Sequence, residues 1–533
     1  MCGAFRSSPT GLHRRARGRS CFAMLSIDDA GPPPPCPAPF NLAAHVLAPA
    51  AQRPDRIALQ VIGPTGAERW SYAGLEQAVR GTGAGLRAMG LVPGDRVLMR
   101  LANTVDFPIV YLGAIAAGLV PVPTSALLTA RETEKICAEI APAAIAAGPG
   151  VALPDAPPCP VLDAPALREM RAHPPCDWEM GDPERLAYIV YTSGTSGQPR
   201  AVCHAHRAVW ARRMMWQGWY GLREDDRLLH AGAFNWTFTL GTGLLDPWAI
   251  GATALIPAEG VEPRALPLLM RRFDVTIFAA APGIYRQILK DGAKLDLPKL
   301  RHGLSAGEKM PEATRTAWEA ATGTAVHEAF GMSECSTFVS GAPERPAPPG
   351  SSGFAQPGRR VAVLDDQGAP VPRGTPGTLA VHASDPGLFL SYLGAPEETS
   401  ARFAGEWFVT GDMVQMDESG AVTYLGREDD MMNAGGVRVS PLEVETVLNA
   451  HAEIRESAAC EVAVKQGVSV IAAFYVAEHE LPEADLHAFA AEQLARYKQP
   501  RIYVRVDALP RGPNNKLARR KLRARYEASH DPA

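Results

Sequence analysis

No run of about 18 uninterrupted apolar residues occurs in this 533-residue chain, so no transmembrane helix is expected. The longest apolar stretch, Ile109 to Val122, is shorter and runs into Pro121 and Pro123; it reads as a buried helix followed by a strand. The nine cysteines are odd in number and form no CxxC pair. That argues for a reducing compartment, here taken as cytoplasmic, and against a disulfide framework or a zinc site. Cys203-His204-Ala205-His206 has no second ligand cluster at zinc-like spacing. The formal net charge is only −4, so no general nucleic-acid or anionic-membrane binder is implied. No internal repeat is evident. Acids are missing before Asp28, while Arg6, Arg14, Arg15, Arg17 and Arg19 crowd the first residues. That composition is similar to a transit peptide, but the segment has little amphipathic apolar content, and a start at Met24 is the preferred expectation.

What is present points to layered α/β architecture. The length exceeds one compact core, so at least two domains are expected. Val97-Leu98-Met99, Leu186 to Tyr191, Ala254-Leu255-Ile256 and Val275 to Ala279 read as buried strands. Between them lie helical stretches such as Leu75 to Met89 and Ala265 to Arg272. Such alternation predicts mostly parallel sheets flanked by helices. A new pattern starts after Gly426 with the charged turn Arg427-Glu428-Asp429-Asp430. We therefore expect a disordered extension and linker over 1–40, with Pro32 to Pro35 leading into a helix near Asn41. A large domain over 41–428 and a small mobile α+β domain over 429–533 should follow.

One segment stands out chemically: Tyr191-Thr192-Ser193-Gly194-Thr195-Ser196-Gly197-Gln198-Pro199-Arg200. A buried apolar strand launches a loop of hydroxyls and glycines that ends in a cation. Glycines let backbone N–H groups converge on an anion, and hydroxyls add donors for phosphate oxygens. A Walker loop is excluded because GK[ST] is missing. Flexible linkers are not normally launched from buried strands, so phosphate binding is the better reading.

The loop resembles the phosphate loop of the adenylate-forming superfamily, which includes acyl-CoA synthetases, peptide-synthetase adenylation domains and luciferases. Arg200 stands where that family usually has lysine. Further segments match it in order. Ser305-Ala306-Gly307-Glu308-Lys309 resembles the glycine–acid turn beside the nucleotide, with Gly307 and Glu308 as its key pair. Glu328-Ala329-Phe330-Gly331-Met332-Ser333-Glu334 resembles the adenine and magnesium motif. By that resemblance Phe330 and Gly331 flank adenine, Ser333 contacts the α-phosphate, and Glu334 helps hold Mg²⁺. Trp407 to Asp412 implies Asp412 as the ribose ligand; Arg427 would lie near ribose and phosphate, with Asp429 as the hinge. Leu509 to Arg520 resembles the C-terminal motif whose lysine, here Lys516, drives adenylation, and Asn515 stands where glycine is usual. Thr192, Glu334 and Lys516 are thus the expected catalytic residues. Thr192, Ser193, Gly194, Thr195, Ser196, Gly197 and Arg200 would hold the phosphates.

The resemblance implies an acid–CoA ligase that forms an acyl-adenylate from ATP and an acid, then an acyl-CoA. Rotation about Asp429 would bring Gly435 and Gly436 to the CoA path; Asn433, where lysine is frequent, gains no role. The stretch His230 to Leu240 should contribute to the acyl pocket, through Phe234, Trp236 and Thr237, joined by Met332. Counting back from Pro247-Trp248, Trp236 aligns with a tryptophan of acetyl-, propionyl- and medium-chain synthetases. The wider chain also resembles benzoate–CoA ligases, so a small, medium-chain or aryl acid is expected. A homodimer is compatible with this reading. The competing expectations are an adenylation enzyme that loads a carrier protein and a non-catalytic nucleotide- or acyl-binding protein. No carrier-like segment follows Lys516, which favours CoA over a carrier.

Overall fold

Six short apolar runs lie parallel and side by side in a central sheet. In spatial order they are Ile57–Ile62, Thr253–Pro257, Arg227–His230, Ile277–Ala279, His302–Ala306 and Val326–Met332. Continuous burial explains their lack of polar alternation, since helices cover both faces of a parallel sheet. Antiparallel strands finish both edges: Ala67–Ser71 at one, Ser336–Ser340 and Phe354–Ala355 at the other. The computed structural model describes residues 24–29, 31, 33–192, 200–290, 292–434, 437–465, 468–511 and 517–529.

A second parallel sheet holds Val120–Pro123, Arg96–Arg100, Ala144–Ala147 and Val161–Leu162. The apolar stretch expected as helix then strand forms Asp106–Ala116 and Val120–Pro123. That helix packs on Tyr72–Ala88 so closely that a Cβ on Gly113 would stand 2.8 Å from the Val79 carbonyl oxygen. Asn41 caps the helix Leu42–Leu47, its Oδ1 accepting from the N–H groups of Ala43 and Ala44 at 2.9 and 3.2 Å.

The layered α/β expectation holds with one antiparallel sheet added, and the bounds of the expected linker need correction. Mostly parallel pairing holds for the two sheets above, but a six-stranded sheet of Ile27–Asp29, Arg360–Leu364, Pro376–His382, Phe403–Ala404, Trp407–Met416 and Val422–Arg427 is antiparallel throughout. Tight turns make this possible: Asp365 Oδ1 accepts from the N–H groups of Gln367 and Ala369, each at 2.9 Å, and returns the chain at once. Nor is all of 1–40 a linker. Ile27–Asp29 pairs with Arg360–Leu364, Ile27 opposite Ala362, and Arg360 Nε reaches Asp29 Oδ1 at 2.8 Å.

Beyond Asp430 the chain builds cores from its own residues. Met432, Val444, Leu448, Ile471, Tyr475 and Leu486 pack together, and Ala458, Phe474, Leu509 and Leu522 form a second cluster. Three helices, Pro441–Leu448, Glu483–Gln493 and Arg519–Ser529, accompany the sheet Glu456–Lys465, Val468–Val476 and Ile502–Arg505. Among the described residues no helix is long and apolar enough to cross a membrane.

Candidate active site

The strands His302–Ala306 and Val326–Met332 run parallel with Ser305 beside Glu328 and Ala306 beside Ala329. Their ends therefore deliver Gly307-Glu308 and Phe330 to Glu334 to the same edge of the sheet. Gly307 has φ +94°, and a Cβ there would lie 2.4 Å from Cζ2 of Trp236. The indole thus rests directly on the glycine turn, with the Phe238 ring edge-on to it at 5.3 Å. Beneath the turn, burial pushes the Glu328 carboxyl up, while Lys309 at 3.4 Å and Arg315 at 3.1 Å oppose that shift.

Phe330 lies 5.5 Å from the Tyr424 ring, and Tyr424 sits on the strand that ends at Arg427. Arg427 is opposite Asp412 in register; its Nη1 donates to Asp412 Oδ2 at 2.9 Å and to the Thr410 carbonyl at 3.2 Å. Asp412 is 4% exposed and its N–H donates to Thr410 Oγ1 at 3.1 Å. Arg427 Nε is 3.9 Å from Asp429. Arg520 pairs with Asp429, and Arg519 lies 2.7 Å from Glu445 and 3.6 Å from Asp430. Phe330, Tyr424, Asp412, Arg427, Asp429 and Asp430 thus form one connected group.

Glu334 is buried, and its Oε1 accepts from Tyr392 Oη at 2.8 Å. No cationic side chain pairs with it among the described residues. A buried carboxylate with spare oxygen lone pairs is the donor a hard divalent cation takes. Arg200 pairs with Glu398 and lies over the Tyr392 ring at 5.4 Å. Thr192 faces Arg200 across two antiparallel strands, so both ends of the expected phosphate loop meet here. Ser193, Gly194, Thr195, Ser196 and Gly197 lie outside the described residues, as do Gly435, Gly436 and Lys516.

A cavity opens beside Ser333, walled by Tyr111, Tyr188, His204, Arg212, Thr237, Leu240, Leu245 and Ser336 among others. Of the expected acyl-pocket residues, Thr237 lines it. Phe234 does not: 1% exposed, its ring packs 5.4 Å from Phe107 in the main core, because its N–H is held at 2.9 Å by Asn103 Oδ1. Trp236 covers Gly307 instead, and Met332 packs on the core of the antiparallel sheet. Arg212 was not singled out from the sequence. Its Nε and Nη2 donate to Asp246 at 3.0 and 2.6 Å, and Nη1 donates to Ser336 Oγ at 2.5 Å. Ser336 itself has φ +62°, a left-handed backbone that a non-glycine residue keeps only where its surroundings enforce it. His204 Nε2 lies 2.7 Å from the Ser333 carbonyl, and burial pushes its pKa down to about 4. Among the described residues no group of three or more His, Cys, Asp or Glu is placed to hold a metal ion.

The ends of one parallel sheet thus bring an acidic, aromatic edge next to the cavity beside Ser333. Residues 47–393 match the model for the AMP-binding enzyme family, and residues 443–516 match that for the AMP-binding enzyme C-terminal domain. The chain belongs to the AMP-binding enzyme family. It is 32% identical over 488 residues to a benzoate–CoA ligase of Thauera aromatica, covering 85% of this chain and 90% of the relative. Similarity to the mitochondrial acyl-coenzyme A synthetase ACSM5 of Mus musculus is 28% over 565 residues, covering 95% and 97%. The crystal structure of a benzoate CoA ligase from Burkholderia xenovorans LB400 superposes with a TM-score of 0.80 at 29% identity, over 91% of this chain and 100% of that one.

Proposed function

We propose that the chain uses ATP to activate a compact carboxylic acid as an acyl-adenylate and then transfers the acyl group to coenzyme A. One observation carries the reading: Ser333 belongs both to the segment that ends in Glu334 and to the wall of the cavity. An acid lying in that cavity would present its carboxylate where an α-phosphate, held by Ser333, would lie. Relatives named for CoA ligation span the chain almost end to end, which supports CoA as the acceptor.

In the first step a carboxylate oxygen attacks the α-phosphorus and the bond to pyrophosphate breaks. Two anions must meet, so fixed charge and donors matter more than proton transfer. Lys516 would bridge the carboxylate and the α-phosphate, while Thr192, Arg200 and the loop 193–197 hold the leaving phosphates. Glu334 would hold a magnesium ion, which would supply positive charge for the leaving pyrophosphate. Phe330 and Gly331 would flank adenine, and Asp412, oriented by Arg427, would accept from the ribose hydroxyls. Gly307 and Glu308 would complete the nucleotide edge. In the second step the CoA sulfur attacks the acyl carbon and AMP leaves. Lys516 has to withdraw for this, so residues 429–533 are taken as a lid turning about Asp429, with Gly435 and Gly436 along the CoA path. Their separate apolar cores support motion as a unit.

The test is CoA-dependent release of AMP by the purified protein across short, medium, branched and aromatic acids. Equal amounts of AMP and acyl-CoA are expected. Failure to cleave ATP with any acid would end the proposal.

A further inference from the structure

The residues read as α-phosphate and metal ligands, Ser333 and Glu334, sit in the tight turn Ser333-Glu334-Cys335 between the antiparallel strands Val326–Met332 and Ser336–Ser340. Met332 and Ser336 face each other across its base, and the Cys335 N–H donates to the Met332 carbonyl at 3.3 Å. The chain enters the second strand through Ser336 at φ +62°, a place that glycine would fill without strain. The hydroxyl that glycine would lack is engaged: it accepts from Arg212 Nη1 at 2.5 Å.

Arg212 is itself fixed from behind. Its side chain is 8% exposed and that of Asp246 1%, and the carboxylate accepts from Nε at 3.0 Å and from Nη2 at 2.6 Å. Tyr220 Oη donates to Asp246 Oδ2 at 2.8 Å. A Cβ on Gly241 would stand 2.6 Å from Nη1, so bare glycine backbone walls the guanidinium in. A buried ion pair adds little net stability over apolar residues of similar volume, because desolvation offsets its attraction. What it adds is direction: a planar fork clamped along one side aims its remaining nitrogen at one place. That place is the hydroxyl three residues beyond Ser333. Within the turn, His204 Nε2 lies 2.7 Å from the Ser333 carbonyl, and the Phe389 N–H donates to the Glu334 carbonyl at 2.7 Å. The turn is thus gripped along its length, and Arg212 supplies the grip on the strand that leaves it.

Resting on the acid-activating reading above, we infer that Arg212, Asp246 and Ser336 are positioning residues for adenylate formation: the clamped guanidinium holds Ser336, and through it sets where the Ser333 hydroxyl and the Glu334 carboxylate stand.

The experiment uses the full chain. Ser336→Gly removes the hydroxyl and relieves the left-handed backbone, whereas Ser336→Ala removes the hydroxyl and keeps the strain. Urea midpoints should therefore rank Ser336→Gly above Ser336→Ala. A hydroxyl that served only to stabilise the fold would make activity follow that ranking. Positioning makes both variants lose alike. Their kcat for acid-dependent ATP–pyrophosphate exchange should fall by about tenfold or more, while KM for ATP and for the acid changes by less than about threefold. Arg212→Lys keeps a charge opposite Asp246 but cannot serve both partners with one ammonium. It should match Ser336→Ala, and the double variant should lose no more than either single one. Exchange that follows the urea ranking, full kcat in either Ser336 variant, multiplied losses in the double variant, or a rise in acid KM alone overturns the inference and leaves the ligase reading standing. A wild-type chain that makes no adenylate from any acid defeats both. Should Ser336→Ala or Arg212→Lys fail to fold, Ser336→Gly, the least strained variant, still decides by its kcat and KM.

Discussion

Replacing Gly307 by alanine tests how tightly the nucleotide edge is coupled to the Trp236 side of the site. Two costs can be separated. At φ +94° an L-residue is strained by about 1–2 kcal/mol. The new Cβ would also stand 2.4 and 2.7 Å from Cζ2 and Cη2 of Trp236, where carbon contacts normally relax to ~3.5–4 Å. Something must move by about 1 Å, and overpacking of that size costs about 1–3 kcal/mol. Trp236 is the freer partner, since the turn is anchored in a parallel strand while the indole is only partly buried against its apolar cluster, with Phe238 edge-on to it. A displacement of this size beside the reacting groups should lower acid-dependent ATP–pyrophosphate exchange by roughly 100-fold. Trp236→Leu in the same chain removes the ring and leaves only the backbone term. Urea unfolding followed by circular dichroism should then give a favourable coupling of about 1–2 kcal/mol between the two substitutions. Additivity within about 0.5 kcal/mol, or full exchange activity in Gly307→Ala, would refute the reasoning.

Lys516→Ala should abolish adenylate formation yet largely spare CoA transfer from a supplied acyl-adenylate; equal loss of both steps in stopped assays would remove its assigned role. Tyr392→Phe deletes the donor at 2.8 Å from Glu334 and should raise the magnesium requirement for AMP release by about tenfold. An unchanged magnesium titration would separate Glu334 from the metal. Burial pushes His45, His204, His302 and His327 down to about 4, and His206 and His230 to about 3. Between the ordinary histidine value and about 4 the unfolded chain binds more protons than the folded one, so stability rises with pH. Acidification from pH 7 to pH 5 should therefore cost about 2 kcal/mol for each of these groups. Urea midpoints measured across that range check this, and a flat profile would contradict it.

The strands and the ordered series of segments were legible because each rests on local pattern: apolar runs, glycine turns, and an acid or cation at fixed spacing. Burial of Val97 to Met99 and of Ala254 to Ile256 follows directly from their composition. The cavity was less legible. Arg212 and Asp246 are 34 residues apart and look like surface charges until the fold closes one on the other. Tyr111 lies in a run so apolar that its hydroxyl carries no signal in sequence. Phe234 and Trp236 illustrate the opposite failure: both were expected in one wall, but Asn103 fixes this segment by accepting from the Phe234 N–H and donating to the Gly232 carbonyl, and the Phe234 ring lies in the core. Ile27–Asp29 escaped because three residues after a basic, proline-poor start give no period, and their partners lie more than 300 positions away.

The two arginines that follow the C-terminal loop hold different kinds of partner. Arg519 and Glu445 are mostly shielded from solvent, with side chains 15% and 7% exposed, so their union endures salt and travels with the body it belongs to. Arg520 and Asp429 are 59% and 37% exposed, and such a surface clasp is weak and easily screened. Under the proposed rotation about Asp429, ionic strength would become a dial on the pivot: rising salt should loosen the clasp at Asp429 without softening the Arg519–Glu445 pair, and should quicken exchange between the two half-reactions before it harms either one.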